Sequence, residues 1–108
     1  MATRSRIGIE NQDGTISSIY CHWDGYPSHN GEILKKYYSD KEKLQQLLEL
    51  GDISSLDEEL EKVTAYHRDK GEKFYPARID KSLDEFRKSD YEEYGYVFTL
   101  KNKWLIFN

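Results

Sequence analysis

The sequence predicts one α+β domain over residues 1–108, built as an antiparallel sheet of about five to six strands with two to three helices packed on one face. Alternating apolar runs at both ends of the chain predict strands, and stretches of helical period between them predict helices. Aromatic residues make up 14% of the chain, which supplies large side chains for one core and is unlike a disordered composition.

The first two strands form a predicted hairpin. The runs 5–10 and 15–23 alternate, and Asp13-Gly14 between them is typical of a tight hairpin turn. Because side chains alternate along a strand, the second run has two faces. The face expected to meet the core carries Ile19, Cys21 and Trp23. The face expected to meet solvent or a cleft carries Ile16, Ser18, Tyr20 and His22.

Two amphipathic helices are predicted in the middle of the chain. Asn30 is placed to cap the first, and Ser39-Asp40 begins the second. Gly51 follows the second helix where a left-handed C-terminal residue belongs. The apolar positions at helical spacing are Ile33, Leu34 and Tyr37 in the first helix and Leu44, Leu47 and Leu48 in the second.

The C-terminal half is predicted to return to the sheet. Residues 53–62 read as a short helix or an ordered loop, and residues 63–68 alternate as a strand. A short or edge strand is expected at 73–75, because Pro76 follows it.

A last helix and a last hairpin complete the prediction. Ser82 and Glu85 match a capping box that opens a short helix. The runs 94–100 and 104–107 are then expected to pair as a closing hairpin.

Composition narrows the classes of function. The net charge of −4 argues against binding of duplex nucleic acid, which needs a concentrated basic face. The single cysteine, Cys21, leaves no disulfide framework. No stretch has the length of a membrane span or the layout of a signal peptide, so we expect a cytoplasmic protein that contacts no membrane.

The first candidate site is the strand-to-helix corner between Ile19 and Gly31. Rings and small polar groups near a helix N-terminus suit an anionic, ring-bearing ligand. The candidate ligand-binding residues here are Tyr20, His22, Trp23, Tyr26, Ser28 and His29. An alternative explains part of this corner without a ligand. In it, Trp23 and Tyr26 pack against the corner, Asp24-Gly25 forms a turn, and Asn30 caps the helix.

Metal binding at the corner is not expected. His22, Asp24 and His29 are possible ligands, but the chain has no HxH, HxxxH or CxxC spacing. We therefore expect neither a metal nor a cofactor.

The second candidate segment is 66–72. Tyr66, Arg68 and Lys70 combine an aromatic ring with two cations, and a guanidinium can hold phosphate through two hydrogen bonds. The alternative is a charged hairpin tip whose ion pairs only increase solubility.

Catalysis remains an alternative. Cys21 and His22 would point to opposite sides of a strand, so their adjacency is not a catalytic dyad. His22 and His67 could act as base and acid in a small phosphodiesterase or nuclease. The chain carries no P-loop and no dinucleotide fingerprint.

Four runs resemble a family of small accessory proteins of phages and prophages. They are SRIGIE (5–10), SIYCHWDGYP (18–27), LGDISSL (50–56) and AYHRDKGE (65–72). The resemblance spans most of the chain and carries over no catalytic residues. It implies a protein that acts against a host system, either by masking a host protein or by sequestering a nucleotide immune signal.

Together these observations predict a non-enzymatic counter-defence protein of the host cytosol. It would bind and sequester an anionic, nucleotide-like small molecule between the two candidate segments. A homo-oligomer is expected, because a small domain forms a deep pocket most easily at a subunit interface. The alternatives are a protein-binding inhibitor of a host factor and the His22/His67 phosphodiesterase.

Overall fold

A computed structural model describes residues 2–108 and confirms the α+β class. Within these residues, seven strands form one sheet and four α-helices pack against it. The strands are β1 Ser5–Glu10, β2 Ile16–Cys21, β3 Ile53–Ser55, β4 Thr64–Ala65, β5 Arg78–Asp80, β6 Tyr94–Phe98 and β7 Trp104–Phe107. The helices are α1 Glu32–Tyr37, α2 Lys41–Glu49, α3 Tyr66–Lys70 and α4 Leu83–Lys88.

The strand pairing is mixed, whereas the alternating runs had suggested an antiparallel sheet. The order is β4-β3-β2-β1-β6-β7, and β5 also pairs with β2. Both β1–β6 and β2–β3 are parallel pairs. A parallel pair needs a crossover connection, and α1 with α2 supplies it between β2 and β3.

Helices cover both faces of the sheet. On the front face, α1 and α2 bury Leu34, Leu44 and Leu47 against alternate residues of the central strands. On the back face, Phe86 of α4 packs against Ile16 and Val97, whose side chains project from the other side of the sheet. The prediction of helices on one face only is therefore wrong. The sequence did not indicate the second face, because α4 is short and buries only Phe86 completely.

Several predicted elements are confirmed. The β1–β2 hairpin turns at Gly14, whose φ is +88°, and α2 is followed by Gly51 with φ +78°. The hydroxyl of Ser82 accepts the Glu85 N–H at 3.1 Å, as the capping box requires. The closing hairpin forms between β6 and β7.

Two predicted strands are wrong. The run 63–68 extends only over Thr64–Ala65 and then turns into α3. The Asp69 carboxylate stabilises the start of this helix, because it reaches back and accepts the Ala65 N–H at 2.7 Å. Residues 73–75 are irregular, and the short strand in this region is β5, which begins only after Pro76.

The outer edge of β2 is divided between two partners, and this division creates the candidate site. β5 pairs with residues 16–18 and β3 pairs at Cys21, which leaves a gap beside Tyr20. The Asp52 carboxylate accepts the Tyr20 N–H at 3.0 Å. Arg6 crosses the back face and donates to the Ser18 carbonyl at 2.9 Å and to its hydroxyl at 3.0 Å.

Candidate functional site

A hollow of about 240 Å³ lies beside this gap in the sheet. Its lining residues come from β2, from the entry to β3, from the start of α3 and from the segment 72–75. They are Tyr20, His22, Asp52, Tyr66, Glu72, Lys73 and Tyr75. Two segments far apart in the chain, both predicted as ligand-binding, therefore meet in one concave surface.

The β2 side of the hollow is a fixed pair of rings. The Tyr20 hydroxyl and the His22 Nδ1 are 2.7 Å apart, and both side chains are half-buried. The indole of Trp23 meets the imidazole edge-on, with ring centroids 4.7 Å apart. Partial burial raises the pKa of Tyr20, so its hydroxyl stays protonated and able to donate at neutral pH.

Lys73 lines the hollow, whereas the predicted residue Lys70 lies outside the lining and contacts the ring of Tyr66. The Lys70 ammonium is 5.4 Å from the centroid of the Tyr66 ring, and the Lys73 ammonium is 5.5 Å from that of Tyr75. Both lysines are exposed, and Lys73, which lines the hollow, can turn from its ring face to an anionic group of a ligand.

Acidic groups complete the lining. One oxygen of Asp52 holds the Tyr20 N–H, and Glu72 is exposed at the rim. Carboxylate oxygens accept hydrogen bonds from hydroxyl and amino groups. The hollow therefore combines stacking surfaces, two carboxylates and one ammonium group within a small space.

Arg68 is not brought into the hollow. Its guanidinium turns to Asp69, with Nε 2.9 Å from Oδ1, and donates to the Val63 carbonyl at 2.6 Å. This guanidinium, together with the Ala65 N–H, holds the pKa of the Asp69 carboxyl below its ordinary value. The arginine thus secures α3, which carries Tyr66.

The corner residues Tyr26, Ser28 and His29 also lie outside the hollow lining. The Tyr26 hydroxyl donates to Asp24 at 3.3 Å, and the two rings of Tyr26 and His29 have centroids 6.0 Å apart. Ser28 is exposed. Trp23 reaches the site only indirectly, through its contact with His22.

The predicted Asn30 cap is wrong. A π-helical turn over Pro27–Gly31 precedes α1, and the Asn30 amide points inward instead. It donates to the Trp23 carbonyl at 3.2 Å and to Cys21 Sγ at 3.3 Å, while its own oxygen meets His29 Nδ1 at 3.0 Å. Burial raises the pKa of the Cys21 thiol to about 11.

The two histidines of the phosphodiesterase alternative occupy different surroundings. His22 lines the hollow, but His67 is not among the residues that do. His67 Nδ1 lies 2.8 Å from the Glu72 carbonyl, and its ring packs edge-on against Phe74.

Sequence reasoning missed three lining residues, Asp52, Lys73 and Tyr75, and it included Glu72 in the second candidate segment without naming it as a binding residue. The run 73–75 was assigned to a strand, where its side chains would alternate between faces. The only available signal was its composition, since a lysine and two rings directly follow the AYHRDKGE run.

A larger depression of about 680 Å³ lies between α2 and the segment 74–77. Its lining is mainly apolar and amide, with Glu49 as the charged side chain. It offers no cation to an anionic ligand, so the smaller hollow fits the expected chemistry better.

The chain was also compared with known protein families, curated proteins and solved structures. No protein-family model, curated protein or solved structure matches the chain. Within residues 2–108, no helix has the length and apolar character needed to cross a bilayer. In the same range, no three His, Cys, Asp or Glu side chains are grouped in a way that could hold a metal ion.

Proposed function

We propose that this protein is a non-enzymatic binding protein that captures an anionic, nucleotide-like small molecule in the hollow. The observation that supports the proposal is the meeting of Tyr20 and His22 with Tyr66 in a hollow that Lys73 also lines. Rings and cations arranged together suit a flat base attached to a phosphate.

The size of the hollow limits what it encloses. Drug-sized ligands fill pockets of about 300–1,000 Å³, and the hollow measures about 240 Å³. It therefore holds one base with its nearest substituents, stacked on a tyrosine, while Asp52 accepts from an amino or hydroxyl group. The phosphate would lie at the rim, next to Lys73.

The biological role proposed for this capture is counter-defence. The resemblance of four sequence runs to phage accessory proteins supplies this context. A protein that holds a nucleotide immune signal in the host cytosol without degrading it would lower the free concentration of that signal.

Calorimetry with a panel of cyclic dinucleotides and ADP-ribose derivatives tests the proposal. One panel member should bind, and chromatography should recover it intact. Tyr66→Ala should weaken binding about 10-fold or more, since stacking on one ring contributes about 1–3 kcal/mol per base. Tyr26→Ala is the matched control: it removes a ring outside the hollow and should leave affinity unchanged.

Two results would contradict this function. The absence of binding across the panel, with the protein folded, would remove its basis. Breakdown of the ligand that His22→Ala abolishes would replace capture by the phosphodiesterase alternative.

A second candidate is a protein-binding inhibitor of a host factor. Trp23 is 44% exposed and Tyr75 is 54% exposed, and exposed rings of this size are common interface hot spots. A pull-down from host lysate should then recover one host protein in stoichiometric amount, and Trp23→Ala should release it.

A further inference from the structure

One segment separates the hollow from the larger depression. This segment, residues 72–77, lies between α3 and β5 and is called the strap. Lys73 and Tyr75 of the strap line the hollow, whereas Phe74 and Pro76 line the depression. Residues 73–76 therefore belong to the two cavities in turn, and a single stretch of backbone separates one cavity from the other.

The strap crosses the chain at Gly51, between α2 and β3. The Asp52 N–H donates to the Tyr75 carbonyl at 3.3 Å, and a Cβ at Gly51 would lie only 3.0 Å from the Phe74 ring. On the two sides of this crossing, Asp52 lines the hollow and Glu49 lines the depression. Residues 72–76 are exposed, so one ligand can reach both cavities over the outer surface of the strap.

The depression suits an uncharged ring. Phe74 is 41% exposed and offers a face for stacking. The exposed Gln45 amide carries both donors and an acceptor, which can pair with the edge of a base. The Glu49 carboxylate disfavours a phosphate there, but it can accept from an amino or hydroxyl group. At about 680 Å³ the depression has room for a base with its sugar.

The hollow leaves part of a larger ligand outside. Its volume of about 240 Å³ holds one base, and the phosphate of that nucleotide would lie next to Lys73. Because Lys73 belongs to the strap and precedes Phe74, a group attached to this phosphate would extend over the strap towards the depression. The one ammonium group of the hollow thus lies between two places that can each hold a ring.

We infer that the captured molecule is a dinucleotide, with one base in the hollow, the linking phosphate at Lys73 and the second base against Phe74 in the depression. This inference rests on the proposed function and narrows it to one class of ligand. The depression, which offers no cation to a free nucleotide, acts as the second base site of the same molecule.

Calorimetry on the full chain tests this inference, with cyclic di-AMP compared with AMP and cyclic di-GMP compared with GMP. One cyclic dinucleotide should bind at least about 10-fold more tightly than its mononucleotide, because its second base binds within an already formed complex. Phe74→Ala should remove most of this advantage and leave the affinity for the mononucleotide unchanged.

Two further variants separate contact with the ligand from disturbance of the strap. Gln45→Ala changes the depression from α2, and it should weaken the cyclic dinucleotide a few-fold without affecting the mononucleotide. Tyr37→Ala is the matched control, since Tyr37 is 40% exposed and lies outside the linings of both cavities. It should leave both affinities unchanged.

The results distinguish failure of this inference from failure of the proposed function. Equal affinity of the wild type for a cyclic dinucleotide and its mononucleotide would overturn the inference alone, as would binding of an ADP-ribose derivative only. An advantage of the dinucleotide that persists in both Phe74→Ala and Gln45→Ala would also overturn it, because the second base would then lie elsewhere. Absence of binding by every nucleotide would remove the proposed function as well.

Discussion

The corner at residues 24–31 and the hollow beside Tyr20 differ in where their polar groups are directed. At the corner, the Asn30 amide, the Asp24 carboxylate and the Gly25 carbonyl all bond to neighbouring groups of the protein. In the hollow, Lys73 and Glu72 are exposed. The corner is thus held by its own contacts, whereas the hollow has groups free to meet a ligand.

This difference shows that a concentration of functional residue types does not by itself define a site. Both regions carry aromatic rings, one histidine and further polar groups. What separates them is burial: Asn30 and Tyr96 are fully buried at the corner, and both form hydrogen bonds within the protein. Variants that test stability should therefore act at the corner, and variants that test binding should act at the hollow.

The largest expected effect on stability comes from Asn30→Ala. The change leaves the Trp23 carbonyl with only the weak Cys21 thiol donor at 3.5 Å and opens space next to Cys21, so we expect a loss of about 2 kcal/mol in the free energy of unfolding. Urea denaturation measures it. Ser28→Ala, an exposed change two residues away, should stay within about 0.5 kcal/mol of wild type. Equal effects of the two variants would contradict the structural role of the corner.

Tyr96→Phe should have the next largest effect. The Tyr96 hydroxyl donates to the Gly25 carbonyl at 2.6 Å and is the contact that joins β6 to the corner. Its removal leaves a buried carbonyl unsatisfied, at a cost of about 1–2 kcal/mol. Tyr26→Phe removes an exposed hydroxyl from the same corner and is the control. Affinity for a ligand of the hollow should be the same in both variants; a loss in either would place the ligand at the corner.

The smallest effect concerns α3. Its Tyr66 lines the hollow, and the contact between Arg68 and Asp69 that holds the helix is partly exposed. The folded-state pKa of Asp69 lies below the ordinary value of 3.8, because Arg68 and the Ala65 N–H stabilise its charged form. Its contribution to stability is therefore present above about pH 4 and is lost as the pH falls through the lowered pKa. The difference in urea midpoint between wild type and Asp69→Asn should be small at pH 7 and absent near pH 2.

Asp84→Asn in α4 provides the matched control for that measurement. Asp84 is also exposed, its carboxylate accepts from Arg87 and Lys88, and its pKa is likewise lowered. For both variants, the difference in urea midpoint from wild type should disappear over the same pH range. Only Asp69→Asn should weaken binding in the hollow, by a few-fold, since α3 positions Tyr66. A few-fold loss in Asp84→Asn would argue against a local role for α3.

Much of the fold could be predicted from local patterns. Gly14 and Gly51 adopt the left-handed conformations that their positions required, and Ser82 caps α4 as its spacing to Glu85 indicated. The candidate site could be predicted only in part. Tyr20, His22 and Tyr66 meet in the hollow, but Arg68 turns to Asp69, and Tyr75 was unexpected because the chain there is irregular.

The sequence by itself determined the α+β class, the two hairpins and the amphipathic α2, because hydrophobic period, turn residues and caps act over a few neighbouring positions. Only the tertiary structure decided which strands are parallel, where α4 packs and which polar groups remain free. These outcomes depend on contacts between distant residues, such as Asp52 with Tyr20 and Tyr96 with Gly25, and no local pattern encodes them.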